Sequence, residues 1–64
     1  MEGFAQRLRA ARERKGVTQA WMAKKLNIHR TSYTKYETTS VEPPLSVFRE
    51  IVRLLDVDPK DLLE

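Results

Sequence analysis

Residues 18–37, TQAWMAKKLNIHRTSYTKYE, read as two short helices joined by a tight turn. Apolar residues recur at helical spacing on both sides of a break, with Met22, Ala23 and Leu26 before it and Tyr33 and Tyr36 after it. Asn27 marks the corner, because asparagine tolerates the left-handed backbone conformation that ends one helix and lets the chain reverse. Thr18 is placed to cap the first of the pair, its hydroxyl accepting from an otherwise unpaired amide. In the second, spanning about 29–37, a step of about 100° per residue gathers Arg30, Thr34, Thr31 and Lys35 into an arc of roughly 140°, with Tyr33 and Tyr36 on the other side. One face is thus apolar and the other cationic and hydroxylic. Any surface helix has a polar face. One of this chemistry and width also suits base edges and flanking phosphates in a DNA major groove.

The pattern TQxxMAxKLNIxRTSYTKYE resembles the helix-turn-helix of the lambda-repressor-like DNA-binding family, the Cro and phage-repressor (XRE) type. Thr18 and Gln19 match the Thr/Ser-Gln pair that opens the family's second helix, Ala23 the alanine at its crossing point, and Glu37 the glutamate that closes the third. The likeness runs from Phe4 to Leu62. It implies an all-α, compact five-helix fold over a single domain, residues 1–64, acting as a transcriptional regulator of the repressor kind, with two copies as a homodimer on a pseudo-palindromic double-stranded DNA operator. It also implies a largely buried salt bridge between Arg12 and Glu37, a contact that spacing alone does not reveal. The chain departs from the family pattern after Glu37. Thr39 stands where a glycine is usual, and Ser40, Val41 and Glu42 replace residues that are often basic. His29 replaces the commoner serine or threonine cap.

Composition agrees with a small intracellular domain. A chain of 64 residues has room for one core, and at this size only about 60% of the unfolded surface is buried. Cysteine is absent, which excludes disulfides and fits a reducing compartment. No apolar run reaches the length of a signal peptide or a membrane span, so the expected location is the cytoplasm. The net charge of +3 is unevenly spread: residues 1–36 hold nine Lys/Arg against two acids, net +7, and residues 37–64 hold three against seven, net −4. Positive charge gathered around the cationic helix is the footprint of a polyanionic partner.

On the N-terminal side, Gly3 to Lys15 reads as a helix with Phe4, Leu8 and Ala11 inward and Gly16 as its stop. Val17 is expected to tuck inward. On the C-terminal side, Thr38 to Pro44 is a loop, since two prolines forbid a continuing helix. Leu45 to Val57 is the longest amphipathic helix, with Leu45, Phe48, Ile51, Val52 and Leu55 as its core stripe. Val47 and Leu54 widen the stripe, which suggests a homodimer seam near the C-terminal end, as the resemblance also implies, and internal packing explains them nearly as well. Asp58-Pro59 is a cap followed by proline at a first helical position, so DPKDLLE reads as a short fifth helix, with Leu62 or Leu63 closing the core.

Catalysis and cofactors find no support: His29 is the one histidine, and neither a metal-ligand cluster nor a glycine-rich phosphate loop is present. For DNA, the unpaired amides at the helix starting at Gln19 can hold a backbone phosphate. Candidate phosphate contacts are Thr18, Gln19, His29, Ser32 and Ser40. Base reading falls to Arg30, for guanine O6 and N7, with Lys35, Thr31 and Thr34 beside it. Trp21 sits where the family usually exposes a residue, and leaning on a neighbouring helix is its expected role. The competing class is a protein-interaction module that keeps the fold and turns its surface on a protein partner. RNA fits less well, because an A-form major groove is too narrow for a helix.

Overall fold

The computed structural model describes residues 3–39 and 41–63, which form five α-helices: α1 Phe4–Lys15, α2 Gln19–Leu26, α3 Arg30–Thr38, α4 Leu45–Leu55 and α5 Pro59–Leu63. The corners lie where local chemistry puts them. Gly16 adopts φ 83° and its N–H donates to the carbonyls of Arg12 and Glu13 at 3.1 and 3.0 Å. Asn27 adopts φ 57°, and Ile28 N–H reaches back to the Ala23 carbonyl at 3.0 Å. Both are left-handed caps that satisfy carbonyls the helix leaves unpaired.

The core gathers Phe4, Leu8 and Ala11 from α1, Met22 and Ala23 from α2, Tyr33 and Tyr36 from α3, Ile51 and Leu55 from α4 and Leu62 from α5. Val17, Trp21, Leu26, Ile28, Val47, Phe48, Val52, Leu54 and Val57 are half-buried against it. Every helix therefore contributes to one interior, as a chain this short requires. No helix among the described residues is long and apolar enough to cross a membrane.

Four expectations need correction, one of them at Thr38, which is the last residue of α3 rather than the first of the loop. The fourth helix stops at Leu55 instead of Val57, because Asp56 takes φ 53° as a left-handed cap. Aspartate tolerates that conformation, and Pro59 keeps Asp58 out of helical geometry. Leu45 is not in the core stripe but 64% exposed. As the first residue of α4 it lies at the end of the stripe. The first helix begins at Phe4, with Gly3 as its left-handed cap at φ 82°. Val47 and Leu54, open to two readings from sequence, pack on the core, and the exposed large apolar residues are instead Val41, Leu45 and Leu63.

Thr39, in the place of the family's glycine, ends α3 without a left-handed residue. Its backbone is extended at φ −130°, and its N–H donates to the Lys35 carbonyl. The hydroxyls of Thr39 and Thr38 donate to the carbonyls of Lys35 and Thr34 at 2.7 and 2.9 Å. Each hydroxyl thus reaches back one turn to a helix carbonyl, that of Lys35 taking it in addition to the Thr39 N–H. α5 opens as its sequence suggests, with Lys60 N–H donating to Asp58 Oδ1 at 3.1 Å ahead of Asp61 in the first turn.

Candidate nucleic-acid interface

The pose of α3 is set at one carboxylate. Arg12 Nε and Nη2 donate to Glu37 Oε2 and Oε1 at 2.7 and 3.2 Å, a two-pronged bond from α1 to α3. Gln19 Nε2 donates to Oε1 at 3.1 Å, and the Tyr33 hydroxyl, one turn earlier on α3, donates to Oε2. The Glu37 side chain is fully buried and that of Arg12 is 12% exposed. Arg12 spends its remaining prong on the Val17 carbonyl at 2.8 Å, which ties the α1–α2 turn to the same point. Four donors on one carboxylate leave no buried side-chain polar atom unpaired among the described residues.

Burial by itself would push the Glu37 carboxyl up, but the hydrogen bonds from Arg12, Tyr33 and Gln19 outweigh it and hold the group below the ordinary glutamate value. Burial, reinforced by the hydrogen bond to Glu37 and its charge, pushes the Tyr33 phenol well above the ordinary tyrosine value. Linkage then bounds the stable range on both sides. The folded chain takes a proton at Glu37 less readily than the unfolded chain. The stability from that group is therefore complete above the ordinary range, about 4.3, and is lost as pH falls through the lowered native value. Tyr33 has a raised native value, so its contribution is complete below about 10 and declines as pH rises beyond. Urea midpoints measured against pH should fall at both ends. Glu37→Gln should flatten the acid limb, and an acid limb of unchanged slope in that variant would refute the assignment.

Above this anchor, Tyr33 and Tyr36 lie buried with ring centroids 6.2 Å apart and planes at 86°. That edge-on packing is favourable for aromatic rings. The opposite face carries Arg30, Thr31 and Lys35, all exposed. Arg9 pairs with Glu13 at 3.5 Å and Arg53 with Glu50 at 2.8 Å, whereas Arg30 and Lys35 have no ion-pair partner among the described residues. Thr34 stands apart from the other three base-reading candidates. It is half-buried, and its hydroxyl donates to Gln19 Oε1 at 3.1 Å.

The phosphate candidates divide similarly. The Thr18 hydroxyl accepts from Trp21 N–H at 3.0 Å as the cap of α2. Gln19, the first residue of α2, has its side chain engaged at both ends with α3. His29 precedes α3 with no side-chain cap bond, so its imidazole does not take the place of a serine cap. Ser32 is exposed in the first turn of α3, and Ser40 lies outside the described residues. Trp21 is half-buried against the core, with Lys25 Nζ 5.6 Å from its ring centroid, a cation–π contact. Sequence reasoning missed the Tyr33 hydroxyl and the Gln19 amide as partners of Glu37. The four-residue spacing of Tyr33 and Glu37 on one helix was a usable signal for the first. No local signal marks the second.

A family model described as a helix-turn-helix domain matches residues 4–64. Among curated proteins of Bacillus subtilis (strain 168), the uncharacterized HTH-type transcriptional regulator YqaE is 41% identical across 95% of this chain and 53% of its own length. The SPbeta prophage-derived uncharacterized HTH-type transcriptional regulator YonR is 38% identical across 95% of the chain and 56% of its own. The uncharacterized HTH-type transcriptional regulator YobD is 39% identical across 84% and 48%. The chain spans about half the length of the curated relatives it matches. No solved structure matches it at a significant level.

Proposed function

The chain belongs to the helix-turn-helix domain family, of the lambda-repressor-like type, and on that premise we propose that it binds double-stranded DNA sequence-specifically and regulates transcription. α3 enters the major groove, Arg30 donates both prongs to a guanine, and Lys35 and Thr31 reach neighbouring edges or phosphates. The first turn of α2, with its unpaired amides, meets a backbone phosphate and fixes the register. The protein acts as a repressor in the cytoplasm, two copies on a pseudo-palindrome with half-sites about one helical turn, roughly 34 Å, apart.

One observation carries the reading. α3 is held from beneath by Tyr33, Tyr36 and Glu37, while Arg30 and Lys35 stand outward with no ion-pair partner among the described residues. Solvated guanidinium and ammonium groups on a fixed helix are what a polyanion needs. The test is selection of bound sites from random duplexes, followed by Arg30→Ala. That variant should lose about 1–3 kcal/mol toward the selected site and relax preference at one base pair, with helical content intact. Binding should weaken steeply with salt, in proportion to the phosphates contacted. No enriched site, or an Arg30→Ala variant that binds as the parent does, would sink the proposal.

The exposed Val41, Leu45 and Leu63 favour a second reading, in which the same fold docks a protein. Under it, a polar substitution at Leu45 abolishes function while Arg30→Ala and salt have little effect.

A further inference from the structure

We propose that Thr34 is a positioning residue and not a base-contacting one: through the Gln19 amide it sets how the first turn of α2 stands relative to the outer face of α3. The inference rests on the DNA-binding reading above. A threonine hydroxyl has one proton to give, and Thr34 gives it to Gln19 Oε1 at 3.1 Å. The other end of that amide, Nε2, donates to Glu37 Oε1 at 3.1 Å. Thr34 and Glu37 are three residues apart, so one flat amide from α2 spans a turn of α3 and is held at both ends.

The orientation of that amide is dictated. An ionised carboxylate only accepts, so the NH₂ must face Glu37 and the oxygen must face Thr34. Glu37 is itself immobilised by Arg12 and Tyr33. The direction of the Gln19 side chain is therefore inherited from a buried charge, and Thr34 completes it. Gln19 is also the residue at which α2 begins, the end that carries unpaired amides. Specific binding needs a phosphate at that end and bases at α3 in the same instant. Affinity for arbitrary DNA comes from phosphates and does not.

The threonine side chain supplies its own control. Thr34→Val keeps the methyl group and deletes the hydroxyl, while Thr34→Ser does the reverse. Binding is measured to the duplex enriched from a random pool and to a scrambled duplex of equal length, with helical content checked by circular dichroism. Thr34→Val should lose about three- to tenfold in affinity for the enriched duplex, the worth of one neutral hydrogen bond, with affinity for the scrambled duplex unchanged. Thr34→Ser should match the parent. Gln19→Met breaks the same bridge from the other side, and adding Thr34→Val to it should cost nothing more.

Loss in Thr34→Ser with none in Thr34→Val would mean that the methyl meets a thymine directly, and would overturn the proposal. So would equal losses on both duplexes, which mark a purely structural role, or full additivity with Gln19→Met. If the parent itself does not distinguish the two duplexes, the DNA-binding reading fails and the positioning role with it. If the parent discriminates and Thr34→Val does so equally well, the positioning role fails alone.

Discussion

Arg12→Ala is expected to cost about 3–5 kcal/mol, the usual penalty for leaving one partner of a buried ion pair unmatched. The Glu37 carboxylate would keep the Tyr33 and Gln19 donors but lose both prongs of the guanidinium and its charge. The Val17 carbonyl would also lose the donor that ties down the α1–α2 turn. Domains have about 0.05–0.15 kcal/mol of stability per residue, which for this chain means roughly 3–10 kcal/mol in all. The loss is therefore about a third or more of the total, and at the low end of that range the variant would be unfolded at room temperature. Urea denaturation with matched slopes measures it, and a loss below about 1 kcal/mol would show that the pair is solvated.

Lysine should not rescue that position. A single ammonium cannot serve both carboxylate oxygens and the Val17 carbonyl in the planar arrangement that the guanidinium provides. Replacing both charges, as in Arg12→Met with Glu37→Leu, should be milder than Arg12→Ala, since no charge is stranded. The order of the three variants thus separates the cost of an orphaned carboxylate from the worth of the pair.

Leu62→Ala should cost about 2–5 kcal/mol, as large-to-small changes at fully buried positions do. Leu63→Ala, one residue on, should stay within about 0.5 kcal/mol. Leu62 has no exposed surface, while Leu63 is 46% exposed. The contrast matters because a five-residue helix has no stability of its own. α5 exists because Leu62 reaches the core, with the Asp58 cap and Pro59 easing its start. In Leu62→Ala the amides of α5 should exchange at the rate of open chain, which hydrogen exchange can read directly. Comparable losses at the two leucines would mean that α5 is held by something other than this anchor.

The positions legible in advance share one property: their structure is decided by neighbours within about a turn. Gly16 and Asn27 end helices because their own backbones accept positive φ. The arc of α3 and the two tyrosines beneath it follow from helical period, and both tyrosines are buried. The Arg12–Glu37 contact was expected only because the chain resembles a family, since 25 residues separate the two. Leu45 shows where period stops being enough. It sits on the apolar stripe of α4 by angle, yet it is left 64% exposed.

By itself, the order of residues determined five helices, the corners between the first three, the loop forced by Pro43 and Pro44, and a cationic outer face on α3. Only the assembled structure decided that Leu62 is the anchor of α5, that α4 stops at Asp56, and that Gln19 and Thr34 join Glu37 in one network. The reason is geometric. Helical spacing fixes the direction of a side chain to within an arc about its own axis, whereas a hydrogen bond near 3 Å between two helices depends on the angle and distance at which they cross. That crossing is settled by how all five apolar faces fill one small core together.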